Sequence, residues 1–96
     1  MQESDSELVL DANAAAGILQ EIFGAEMTAA PTQCASCGNE GPVGTMLAFM
    51  QSPGVVLRCS ACEAVIMRIV QTPHAILLDA RGAVYLQIAR PHGKGT

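Results

Sequence analysis

With 96 residues, half of them apolar, and a formal charge of −4, the chain has room for one domain and a modest core. Five basic residues against nine acidic ones lack the cationic footprint that phosphate neutralisation requires, which argues against nucleic acid as a ligand. No apolar run approaches the roughly 18 residues of a membrane-spanning helix.

The opening Met1-Gln2-Glu3-Ser4-Asp5-Ser6-Glu7 is acidic and lacks the basic start and apolar stretch of a secretory signal. Residues 1–7 are expected to form a disordered tail, and the protein to be cytoplasmic. Thiols stay reduced there, and paired cysteines more often mark a metal site than disulfides. Asp11 suits a helix N-cap, and Gly24 suits the left-handed position just past a helix end. Between them, Ala15, Ile18, Leu19, Ile22 and Phe23 recur at helical spacing, which predicts a helix over 11–23 with one apolar face. Ala14-Ala15-Ala16-Gly17 makes one end of that helix slim enough for another backbone to approach.

All four cysteines then fall into two Cys-x-x-Cys pairs, Cys34-Ala35-Ser36-Cys37 and Cys59-Ser60-Ala61-Cys62, separated by 21 residues. One such turn aims two sulfurs at a point, and a second turn completes a tetrahedral four-sulfur cage. Cys34, Cys37, Cys59 and Cys62 are therefore the expected ligands of one Zn²⁺ per chain, with iron as the alternative metal. Counting four thiolates and one zinc ion takes the formal charge from −4 to −6. Gly38 follows the first pair, where the turn calls for a left-handed backbone; Glu63 stands at the matching place after the second, which departs from the common pattern.

After the first pair, 41–44 reads as a turn-rich link. Residues 45–50 and 55–58 are β-compatible, with Pro53 and Gly54 suited to the centre of a type II turn, so a hairpin is predicted. Residues 64–70 form an apolar run broken by Arg68 and ended by Thr72-Pro73-His74. Residues 75–78 and 83–88 flank Asp79-Ala80-Arg81-Gly82, a second hairpin signal. In the last strand Val84, Leu86 and Ile88 alternate with Tyr85 and Gln87, predicting one buried face. Residues 91–96 are expected to be a loose tail, leaving a single domain over 8–90.

A cysteine pair, a hairpin, a second pair and a further strand make a zinc-ribbon layout. The expected fold class is α+β, a small zinc-ribbon-like antiparallel sheet with one N-terminal helix packed on it. The chain also resembles a family of small bacterial proteins of unknown function with a zinc-ribbon-like core. The resemblance rests on 10–17, Glu21-Ile22-Phe23-Gly24, 26–30, Cys34-Ala35-Ser36-Cys37-Gly38, 53–59 and Asp79-Ala80-Arg81-Gly82, and spans about residues 8–88. It implies four metal ligands and no particular activity.

Catalytic zinc needs an open coordination position, and four cysteines close the site. His74 and His92 lack the helical partner of a metallohydrolase, and no Gly-x-Ser-x-Gly or phosphate-cradling loop is present. Neither pair sits in the strand-to-helix setting of a thiol–disulfide enzyme. The chain therefore reads as a non-enzymatic protein with a structural site, acting as a protein-interaction or regulatory module, with a protein partner or a second copy of itself as the expected partner. Three alternatives stay open: a nucleic-acid-binding or transcription-associated ribbon using Arg58 and Arg68, a thiol redox switch, and a rubredoxin-like iron electron carrier. Met27, Met46, Met50 and Met67 suit either an adaptable apolar surface or the core.

Overall fold

Alternating apolar residues and tight turns build eight short strands around one helix in a computed structural model, which describes residues 9–51 and 54–90. The expected tails at 1–7 and 91–96 lie outside those residues. Strands β1 (Val9–Asp11), β2 (Pro31–Cys34), β3 (Glu40–Pro42), β4 (Leu47–Gln51), β5 (Gly54–Arg58), β6 (Val65–Gln71), β7 (Ile76–Asp79) and β8 (Ala83–Leu86) form two antiparallel sheets. The larger has the order β1-β4-β5-β6-β7 and the smaller β3-β2-β8. The fold is α+β, with the helix packed against sheet.

Asp11 caps the helical segment as the sequence indicates: its carboxylate accepts the Asn13 N–H at 3.1 Å. The first turn, Ala12–Ala15, is 3-10, and the α-helix proper, α1, runs Ala16–Phe23. Gly24 ends it at φ 69°, with its N–H bonded to the Gln20 carbonyl. Ala12, Ala15 and Leu19 are fully buried, and Ile18, Ile22 and Phe23 pack half-buried against the same core. The close approach therefore runs through Ala12 and Ala15, while Ala14 and Gly17 face solvent, contrary to the expectation that 14–17 forms the slim contact.

The core lies against one face of the larger sheet. Ala48, Leu57 and Met67 stand side by side on β4, β5 and β6, and all are buried. Met27 and Met46 join them, so Met27, Met46 and Met67 are core residues, with Met50 packed at the edge. Burying such side chains stabilises the chain by about 1.5–3 kcal/mol each.

Three expectations need correction. Gly54 is a strand residue paired with Gln51 rather than the centre of a turn, and Pro53 of the predicted turn lies outside the described residues. Residues 79–82 do not close a hairpin. Strand β7 pairs with β6 in the larger sheet, whereas β8 pairs with β2 in the smaller one, so the chain changes sheets between Asp79 and Ala83. The physical cause is Gly82, where a Cβ would stand 2.1 Å from the Val65 carbonyl oxygen and 2.6 Å from Ile66 Cα. Its N–H bonds the Ile66 carbonyl at 3.1 Å and its carbonyl accepts the Ala35 N–H at 2.9 Å, which locks the crossing strand onto both sheets. Finally, β8 ends at Leu86 and has no buried face: Val84 and Tyr85 are both exposed and Leu86 is half-buried. Strand β1 and strand β3, with its following 3-10 turn (Val43–Thr45), were not anticipated.

Candidate metal centre

Each cysteine pair follows a strand whose register shifts as it nears the site. The β2–β8 ladder slips between Gln33 and Cys34, and the β5–β6 ladder slips between Leu57 and Arg58. The extra residue lies on the partner strand each time, Val84 of β8 and Ile66 of β6, and a bulge bends the strand that carries it. At the second one, Ile66 and Met67 are buried in succession, breaking the alternation of a regular strand.

The two turns beyond these bulges have the same backbone wiring. In the first, Cys34 N–H donates to the Asn39 carbonyl and Gly38 N–H to the Cys34 carbonyl, both at 2.9 Å. In the second, Cys59 N–H donates to the Ala64 carbonyl at 2.9 Å and Glu63 N–H to the Cys59 carbonyl at 2.8 Å. Gly38 adopts φ 81° and Glu63 adopts φ 66°. The odd residue of the second turn thus takes the left-handed shape that glycine takes in the first, at a cost of about 1–2 kcal/mol. Arg58 braces it: Nη1 donates to the Glu63 carbonyl at 3.1 Å while the guanidinium lies 5.3 Å from the centre of the Phe49 ring.

These turns bring Cys34, Cys37, Cys59 and Cys62 together, with all four sulfurs within 4.8 Å of one another. The sulfurs of Cys34 and Cys62 are 3.7 Å apart, as are those of Cys37 and Cys59. A tetrahedral ion with sulfur ligands at about 2.3 Å requires edges of about 3.8 Å, so the cage fits such an ion with small adjustments. The match is common to zinc and iron. Cys34 and Cys59 are buried, whereas Cys37 and Cys62 reach the surface.

Backbone N–H groups point at three of the sulfurs. Ser36 N–H lies 3.4 Å from Cys34 Sγ, Ala61 N–H 3.3 Å from Cys59 Sγ, and Ala64 N–H 3.5 Å from Cys62 Sγ. The amides of Cys37 and Ser36 hold the Cys34 thiol down to about 7, against the opposing cost of desolvation. At Cys59 desolvation works upward, but the amides of Cys62 and Ala61 outweigh it and lower that thiol as well. The Asn39 amide pulls Cys37 down, yet desolvation and the three neighbouring sulfurs prevail and push it up to about 11. The thiolate is thus favoured at Cys34 and Cys59, while desolvation and crowding of like charges oppose it at Cys37. A divalent cation at the centre removes that repulsion.

His74 is exposed at the β6–β7 turn, away from the cage, and His92 lies outside the described residues. Arg68 sits on β6 opposite Asp79 of β7 rather than at the metal cage. The structure brings together the four cysteines that the sequence singled out, and it adds a contact the sequence did not show, Arg58 supporting Glu63. The signal was the non-glycine residue after Cys62, which has to be held in place by something.

A family model described as a family of unknown function (DUF6510) matches residues 3–91. The chain belongs to this family. No curated protein and no solved structure matches it.

Proposed function

We propose that this member of DUF6510 is a zinc protein whose closed four-cysteine site is structural, with one Zn²⁺ per chain, and that it serves as a non-enzymatic protein-interaction module. The observation that carries the reading is the position of the cage. Its ligands come from the ends of β2 and β5, strands of different sheets, so the ion would tie the two sheets together. Structural zinc supplies about 10–16 kcal/mol of apparent binding free energy, comparable to the whole stability of a small domain. Four thiolates leave no coordination position for water or substrate. A small space beside Cys34 and Cys59, lined also by Thr32, Asn39 and Ile66, amounts to about 10 Å³, at most one water.

Interaction with protein is favoured over nucleic acid by the net charge of −4, which opposes phosphate contacts. No helix among the described residues is long and apolar enough to cross a membrane. A reduced, cytoplasmic setting suits four free thiols at one ion. Elemental analysis of protein produced without added metal should give close to one zinc per chain. A red product containing iron in place of zinc would replace this reading with electron transfer. A second reading, a zinc-releasing thiol switch, is favoured by the exposure of Cys37 and Cys62, which an oxidant can reach. Reversible zinc loss under mild peroxide, with activity of a partner following it, would select that reading.

A further inference from the structure

Among the described residues, strand β7 is an open edge. It forms the outer strand of the five-stranded sheet, and its Ile76, Leu77 and Leu78 are 39%, 59% and 42% exposed. The Thr72 N–H bond to the Ala75 carbonyl at 2.8 Å sets the phase of the ladder. By the alternation of an antiparallel pair, Leu77 and Asp79 direct their amides and carbonyls to β6, while Ile76 and Leu78 direct theirs outward. Proteins usually blunt such an edge with lysine, proline or a bulge, and Ile76–Asp79 contains none of these.

At the Asp79 end of this edge a cleft of about 240 Å³ is lined by Val65, Ile66, Arg68, Asp79, Arg81 and Gly82. Its two guanidiniums come from different elements, one from β6 and one from the crossing after β7. Asp79 answers only part of that charge: its Oδ1 accepts Arg81 Nε at 3.0 Å, leaving the terminal nitrogens of an 89% exposed side chain facing solvent. Two of the five basic residues of a net-acidic chain thus gather at one end of an apolar open strand.

We infer that β7 is the docking edge for an extended segment of a partner protein, which adds to the sheet as a sixth strand. Its apolar side chains lie beside Ile76, Leu77 and Leu78, and an acidic side chain enters the Arg68–Arg81 cleft. Main-chain bonds to Ile76 and Leu78 supply affinity, and the arginines fix register and direction. A second copy of this chain fits the edge less well. Antiparallel self-pairing would set the arginine end of one strand beside Thr72-Pro73-His74-Ala75 of the other, where no carboxylate stands. The inference rests on the reading of the chain as an interaction module and specifies its surface.

The test is selection from a phage-displayed random peptide library on the zinc-loaded full chain, followed by polarisation titration with the enriched peptide. Enriched sequences should alternate apolar residues and carry Asp or Glu at one end. Bound peptide should slow amide exchange at Ile76 and Leu78. Arg81→Glu together with Arg68→Glu should weaken binding at least about tenfold and restore it for a peptide with lysine in place of the acid. Leu78→Pro, which removes an outward N–H, should abolish binding with zinc content retained. Absence of enrichment, or binding indifferent to the charge reversals, overturns the inference. So does a dimer by light scattering whose Ile76 and Leu78 amides are already protected. If a natural partner is retained equally by the wild type and the charge-reversed protein, the interaction reading stands and the β7 assignment falls.

Discussion

Gly82→Ala probes the crossing between the two sheets, and its effect can be worked from the structure. The new Cβ would lie 2.1 Å from the Val65 carbonyl oxygen, 2.6 Å from Ile66 Cα and 3.0 Å from the Ile66 carbonyl oxygen. Ordinary contacts begin near 3.4 Å, and the obstacles are backbone atoms of a central strand rather than a side chain that can swing away. The chain would have to part from β6 by more than about 1 Å, an overpacking cost of about 1–3 kcal/mol. That displacement also strains the Gly82–Ile66 and Ala35–Gly82 bonds, worth about 0.5–1.5 kcal/mol each. The total, about 2–6 kcal/mol, is a large share of the 5–15 kcal/mol that small domains possess. At about 4–8 °C per kcal/mol for a chain of this size, Tm should fall by about 10 °C or more. The measurement is a circular-dichroism melt of both proteins at one fixed excess of zinc, because zinc concentration itself shifts Tm. Ala35 lies inside the first cysteine turn, so the variant should also bind zinc more weakly. If β7 and β8 formed a simple hairpin, Gly82 would be a turn residue and alanine would be nearly neutral. A Tm within about 2 °C of wild type would therefore refute the sheet-changing topology.

Cys37→Ser and Cys59→Ser should each give a poorly folded chain, and a strong chelator should lower the wild-type Tm sharply; a metal-free protein that keeps its native melt would show that the fold does not need the ion. Glu63→Gly should stabilise by up to about 1 kcal/mol in denaturant titration, since it relieves the left-handed backbone and keeps the Arg58 bond to the main-chain carbonyl, while Gly38→Ala should destabilise; a loss of stability in Glu63→Gly would contradict the strain. Arg58→Ala should cost about 1–2 kcal/mol, because the Glu63 carbonyl loses its donor and Phe49 its covering cation; a melt unchanged from wild type would show that Arg58 does not brace the turn. On acidification from about pH 7 to about pH 4, stability should fall together with zinc content. The unfolded, metal-free chain binds four thiol protons that the loaded cage excludes, so stability rises with pH across that range; zinc retained at about pH 4 would refute the linkage.

The metal cage was legible because it is a local matter. A Cys-x-x-Cys turn fixes its own geometry within five residues, and two such turns can converge on one point. The helix was equally legible, since Asp11, the apolar stripe and Gly24 all act within the segment they define. What the sequence could not decide was which strand lies beside which. The pattern around Asp79-Ala80-Arg81-Gly82 satisfies hairpin rules, and nothing within the segment opposes a turn. The arrangement is set instead by residues far along the chain: Val65 and Ile66, against which only a glycine fits, and Ala35, whose N–H takes the Gly82 carbonyl. The exposure of β8 has the same origin, for an alternating apolar strand has a buried face only where the fold supplies a layer to cover it. Local chemistry therefore determined the two cysteine turns and the helix. The division into two sheets, the open edge of β7 and the bracing of Glu63 by Arg58 were decided by tertiary contacts, because each depends on backbone and side-chain groups that meet only after the chain has closed around the site.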